Sequence, residues 1–521
     1  MNRFCRAALL FAGIAFLAAC RKEGPDSSAA LSSVVVITEE VRLTDGGTGT
    51  LRFFTYPEDV RFNYNVGSSG CCIFLGRTSS NFVLESVERM GEGVYEATLR
   101  DCGGVDAYSE TSWLFYRDGG GSVMSNEFSV VRVYSENLQP YEMTGLPVMY
   151  IETEGGRSVT SKTTWRNATV RISAGGGYPG MDSRSCRIRG RGNTTWTWPK
   201  KPYSLNLDEK APVLGMKSQK HWVLLANFMD RTLMRDALAF HIGQQTSLAW
   251  TPHCVYAELV LNGKHVGNYL ITEQVRVDDD RVDIKEGTPG SWLFESDFHY
   301  DEQWQWRERN IPFNVKYPDS DAMTQDLFTQ AKAFIKTMMD ACYSGDYNRV
   351  QELMDVKSFA DYWICFEVMG NHELKNPGSV FSHVSAGGLW TAGPIWDFDW
   401  GGLSYYTSPQ AKTGLVNRNA VWYSGLNGMP EFRKLMAVRW KLLKPALESC
   451  VSFIDETAVL LKESDALNRA MWDPAGDATQ NGGNIINGDE RLSFEDAVAR
   501  LRANYLERIK VMDSIIADGE Y

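Results

Sequence analysis

The residues best suited to chemistry are Asp397 and Asp399, in the segment Ile395-Trp396-Asp397-Phe398-Asp399-Trp400-Gly401-Gly402. Two carboxylates two residues apart share one face of an extended segment. Like charges that close repel unless a cation or a proton intervenes. An acidic pair at a strand end beside glycines is one way to hold Mg²⁺ against phosphate oxygens. The other reading of the octamer is that both carboxylates cap turns or meet buried arginines. Pro394, preceded by Thr391-Ala392-Gly393 and followed by apolar Ile395, predicts a strand entered from a turn.

A second candidate is Arg189-Gly190-Arg191-Gly192-Asn193-Thr194-Thr195, followed by Lys200-Lys201-Pro202-Tyr203. Glycines let backbone N–H groups approach an anion, and the arginines add charge. A glycine-rich turn followed by a strand-borne lysine is the order that covers and clamps a nucleotide's phosphates. The bare pattern also fits an ordinary glycine-rich hairpin beside basic residues.

These segments need elements to hold them. Val148-Met149-Tyr150-Ile151, Ala168 to Ile172 and Tyr203 to Leu207 read as strands. Thr232 to Gln244 reads as a helix. Val255 to Leu261, Asn262-Gly263 and Tyr269-Leu270-Ile271 form a hairpin pattern, because Asn-Gly between alternating runs favours the tight hairpin turn. Beyond Asp321 the chain turns helical. Leu327, Phe328, Ala331, Phe334, Ile335, Met338 and Met339 make one apolar face that reads as core. A second helix covers about Lys357 to Met369. A C-terminal one runs from Phe494 to Ile516, with Ser493 as N-cap and Asp496 three residues on. Asp473 to Asp489 reads as a loop.

Towards the N-terminus, residues 32–137 carry short β-rich runs separated by Gly-rich turns, which predicts a β-sandwich serving as spacer or binding module. A linker near Gln139-Pro140 follows. Residues 1–20 read as a targeting segment. Arg3 and Arg6 precede an apolar run too short to span a membrane comfortably, and Leu17-Ala18-Ala19-Cys20 matches a bacterial lipobox. That predicts lipidation at Cys20, a polar tether over 21–31, and a body anchored outside the cytoplasm in the cell envelope, periplasmic or surface-exposed, touching the membrane only through its lipid.

Composition excludes some partners. The 521 residues carry a net charge of −12 without a long Lys/Arg run, which argues against nucleic acid. Sixteen Trp and 12% aromatic residues predict large buried rings or stacking surfaces. Ten Cys show no paired C-x-x-C spacing of the kind that binds zinc.

Further segments complete an ordered set: Trp222-Val223-Leu224-Leu225-Ala226-Asn227-Phe228-Met229-Asp230 leading to Arg235 and Ala239; Asn262 to Tyr269 leading to Glu273; Phe313-Asn314-Val315-Lys316-Tyr317-Pro318; and Gly370-Asn371-His372-Glu373 before Asp397 and Asp399. In this order the chain resembles the CotH kinase family of atypical kinases over residues 144–517, in the form of an exported Bacteroidetes-type lipoprotein. The resemblance implies an α+β fold: a divergent protein-kinase-like domain behind the N-terminal β-sandwich. It implies ATP with Mg²⁺ (or Mn²⁺) and phosphate transfer to Ser of a protein acceptor. Carried over by position, Lys201 or Lys200 would reach the phosphates beneath Arg191-Gly192. Lys316 would add charge, and Glu273 would lie near the nucleotide. Glu373 would act as base where spore-coat members carry Asp. Asp397 and Asp399 would hold the metal, with Asn376 or Ser379 at the second metal position. The alternative is a kinase-like surface lipoprotein, weak or inactive as a catalyst, that binds a protein or glycan partner.

Overall fold

The structure is a computed structural model. It describes residues 31–521 except 39, 44–46, 57–72, 77–80, 92, 103–107, 119–120, 133–138, 301, 474–485, 518 and 520. The targeting segment, the lipidation candidate Cys20, most of the tether, and Cys71-Cys72 lie outside the described residues. Within them no helix is long and apolar enough to cross a membrane.

Alternating apolar residues build two four-stranded sheets between Ser33 and Arg132. Val34, Leu51, Phe53, Tyr95 and Leu99 from one sheet meet Leu43, Ile73, Leu114, Phe128 and Val130 from the other in a common core. This body touches the rest of the chain through Arg42, whose Nη2 donates to the Ala174 carbonyl at 2.9 Å. Arg52 also reaches the Val459 carbonyl.

The next seven strands close into a barrel. Their spatial order is Arg166–Ser173, Met181–Gly190, Tyr203–Val213, Met216–Leu225, Lys264–Glu273, Cys254–Leu261 and Val148–Thr153. Closure is parallel, between Cys254–Leu261 and Val148–Thr153. Ile151, Val170, Ile188, Leu205, Trp222, Leu259 and Ile271 fill the interior. The hairpin turn forms where Asn-Gly predicts it, with φ of 52° at Asn262 and 71° at Gly263.

A five-stranded sheet follows, in the order Gln305–Glu308, Ile311–Tyr317, Trp292–Ser296, Val380–Val384 and Thr391–Ala392. It packs into the largest core together with helices Gln325–Cys342, Val356–Val368, Pro430–Met471 and Phe494–Ile516. The last helix begins at its expected cap, with Ser493 Oγ accepting from Asp496 N at 3.0 Å. The architecture is thus mixed α+β with several sheets and a β-barrel.

Two expectations change. The helix expected from Thr232 begins at Arg235. Asp230 diverts the preceding residues into a turn, because its carboxylate accepts from Thr232 N at 3.0 Å and from Arg235 N at 2.8 Å. The strand expected at Ile395 is a loop: residues 393–398 carry no strand. Asp397 stands at φ +69°, in the left-handed region that an extended chain cannot use.

Candidate active site

A cavity of about 660 Å³ opens between the end of the barrel and the five-stranded sheet. Its wall includes Arg191 and Gly192 from the glycine-rich turn, Lys316, Glu373, Asn376, Ser379, Asp397 and Asp399. Residues far apart in the chain therefore meet around one space.

The turn is shaped by close packing. A Cβ on Gly190 would lie 2.2 Å from the Trp196 ring, and one on Gly192, at φ +82°, would lie 1.9 Å from Thr195 Oγ1. Lys201 closes this arrangement from outside. Its Nζ donates to the Trp196 carbonyl at 2.8 Å and sits 5.4 Å from that ring's centroid. Lys201 is thus absent from the cavity wall and braces the turn. Lys200 is buried elsewhere, donating to the Asn268 carbonyl over the Tyr269 ring. Burial lowers its ammonium to about 7 against the pull of Glu258 and Asp465. Glu273, at the end of its barrel strand, accepts from His253 N at 2.9 Å and faces that imidazole, outside the cavity wall.

The acidic loop is held from two sides. Asn487 Nδ2 donates to the Asp399 carbonyl at 2.9 Å, and its Oδ1 accepts from Gly401 N at 2.9 Å. Asp236, in the first turn of helix Arg235–Gln244, accepts from Phe398 N at 2.7 Å. These anchors leave the Asp397 and Asp399 carboxyls half-buried in the wall and hydrogen-bonded to one another. Burial raises both, and Asp399 is pushed further by Asp236 and Asp397. Arg191 opposes the rise at Asp397. Its guanidinium also lies 5.5 Å from the Trp396 centroid. Burial lowers Arg191, while Asp397, Asp236, Asp399 and Glu295 pull it back up.

Several wall residues escaped the sequence reading. Glu295 and Asp297 alternate along and just past strand Trp292–Ser296, and Glu302 follows. Lys316 bridges Glu302 at 2.6 Å and Glu295 at 3.3 Å; burial lowers its ammonium, but the two carboxylates outweigh this and raise it. His299 and Asp236 also line the space, together with Arg189 and Asn227 of the segments already quoted. Asn227 is buried at φ +47° with its Oδ1 unpartnered. For the residues that were missed, the i, i+2 spacing of Glu295 and Asp297 in an apolar strand was the one available signal.

Seven carboxylates face four basic side chains in this wall, so an added polyphosphate would meet net repulsion. A divalent cation corrects that balance. Among the described residues no three His, Cys, Asp or Glu side chains are arranged to hold a metal by themselves. Asp397 and Asp399 nonetheless fit Mg²⁺ chemically: they are hard oxygen donors close to one another in a wall short of positive charge. Mg²⁺ commonly takes one or two carboxylates and completes its shell with phosphate oxygens and water.

No curated protein matches the chain. Among solved structures, a marsupial T cell receptor matches at 11% identity over 37% of this chain and 98% of that one; its TM-score of 0.16 carries no argument. The family profile described as CotH kinase protein matches residues 188–456. A kinase-like family implies ATP and a divalent metal in general. The matched span covers half of the chain and contains the glycine-rich turn, Glu373 and the Asp397–Asp399 loop, and the chain belongs to the CotH kinase protein family, with a kinase-like function.

Proposed function

We propose that this protein transfers the γ-phosphate of ATP to a Ser hydroxyl of a protein acceptor with Mg²⁺ or Mn²⁺, in a divergent kinase-like domain over residues 144–517. The observation that carries this reading is the meeting of Arg191 and Gly192 with Asp397 and Asp399 in one cavity. The turn offers the Arg191 guanidinium and the backbone N–H groups of Gly192 and Asn193 to the phosphates, while those of Gly190 and Arg191 donate to the Ser161 and Pro202 carbonyls. Lys316 adds positive charge from the facing sheet, held by Glu295 and Glu302. A cation held by Asp397 and Asp399 would neutralise charge on the transferring group. Lys201 supports the turn through Trp196. Glu373 stands in the wall near Asp397 and Asp297, whose charges, after burial, raise its carboxyl well above the usual range.

The test is phosphate transfer from labelled ATP to a serine-rich peptide with Mg²⁺ or Mn²⁺. Asp397→Asn and Asp399→Asn should each lose transfer by about a hundredfold or more, the scale of a lost transition-state electrostatic contact. Transfer at the native rate in both variants would refute the assignment. We also place the protein at the cell envelope through a lipid on Cys20. Cys20→Ser should abolish metabolic labelling by palmitate and release the protein from membranes; unchanged labelling would refute this.

A further inference from the structure

We propose that Asp297 and His299 form the dyad that takes the acceptor's proton, with His299 Nε2 as general base and Asp297 as its positioning residue. This deepens the kinase reading of the same cavity and rests on it.

Both side chains line the cavity beside Glu373 and Asp397. Asp297 is 9% exposed, and its Oδ1 accepts from His299 Nδ1 at 2.7 Å and from His299 N at 2.9 Å. A carboxylate on Nδ1 fixes the tautomer with the proton there and leaves the lone pair on Nε2. Nε2 has no hydrogen-bond partner among the described residues. The ring stacks on the exposed Phe298, with centroids 4.2 Å apart. Phe298 N donates to the Pro377 carbonyl at 2.7 Å, which joins this loop to the segment following Glu373. His299 and Asp397 line the same cavity, which puts the imidazole on the space expected to hold the transferring end of the donor.

An imidazole whose Nδ1 is held by a carboxylate and whose Nε2 has no partner among the described residues has the geometry of a general base. In the step, the Ser O–H proton passes to His299 Nε2 as the oxygen bonds to the γ-phosphorus. The bond from that phosphorus to the β–γ bridging oxygen breaks, and its electron pair leaves with ADP. The imidazolium then returns its proton to water.

The experiment uses the full chain, labelled ATP with Mg²⁺ and a serine-rich synthetic peptide. His299→Ala should cut transfer by about a hundredfold, with partial recovery on adding imidazole and an unchanged thermal shift with ATP and Mg²⁺. His299→Gln, judged folded by its melting curve, should show the same loss. Asp297→Asn should lower kcat while leaving KM for ATP in place. Native-rate transfer by His299→Ala, or loss in both His299 variants without imidazole recovery in His299→Ala, overturns the dyad alone. Native protein that binds ATP yet transfers nothing overturns the kinase reading and the dyad together.

Discussion

Arg235 Nε donates to the carbonyl oxygen of Gly402 at 2.6 Å, joining the start of a helix to the end of the acidic loop. The same guanidinium meets Asp489 at 2.6 Å and also Asp230, and all three charged side chains are buried. One arginine therefore sets the helix carrying Asp236, the loop carrying Asp397 and Asp399, and the C-terminal segment carrying Asn487.

Arg235→Met should destabilise the fold by about 3–5 kcal/mol, because Asp230 and Asp489 would be left as uncompensated buried charges. Chemical denaturation measures this. An unchanged midpoint would show that the cluster does not hold the loop.

Asn487→Ala separates loop placement from global stability. It removes the contacts to the Asp399 carbonyl and Gly401 N. A net loss of about 1–3 kcal/mol is expected, felt chiefly as weaker ATP–Mg²⁺ binding. Calorimetric titration should show affinity reduced by about tenfold; native affinity would contradict the role given to this clamp.

Gly190→Ala and Gly192→Val test the turn. Each new side chain would collide with Trp196 or Thr195, and Gly192 sits at a φ that β-branched residues avoid. Both should reduce the thermal shift produced by ATP and Mg²⁺. Full retention in both variants would place the phosphates elsewhere.

Asp236 gives a pH prediction for the metal-free protein. Burial, then Asp397, raises its carboxyl to about 7. The folded state thus keeps a proton that the unfolded chain, titrating near 3.9, has released. Stability from this group is fully present below the unfolded value and is lost as pH rises from about 4 to about 7. In chelator, the native protein should lose melting temperature across that window more steeply than Asp236→Asn. Equal slopes would refute the shift.

Much of this arrangement could be read from residue order. Asn262-Gly263 gave the hairpin, Ser493 the last helix, and the acidic pair its place in a cavity with Arg191. Other parts depend on contacts that no local pattern encodes. Helix Pro430–Met471 went unread, since Pro445 lies inside a 42-residue helix that tertiary packing must sustain. Asp397 looked extended because a turn-forming φ leaves no signature at an Asp between aromatic residues. Lys200 and Lys201 looked like phosphate ligands because their charge was visible, whereas the Asn268 and Trp196 carbonyls that accept their hydrogen bonds were not. Asp236 was hidden inside a helix start. Its role appears only when Phe398 folds against it.

The most direct test of the account is a crystal structure of the full chain with a non-hydrolysable ATP analogue and Mn²⁺, read by anomalous scattering. The predicted result is a manganese peak against the Asp397 and Asp399 carboxylates, with the phosphates under Arg191 and Gly192. An analogue bound away from this cavity, or a cavity empty of manganese with the analogue seated elsewhere, would contradict it.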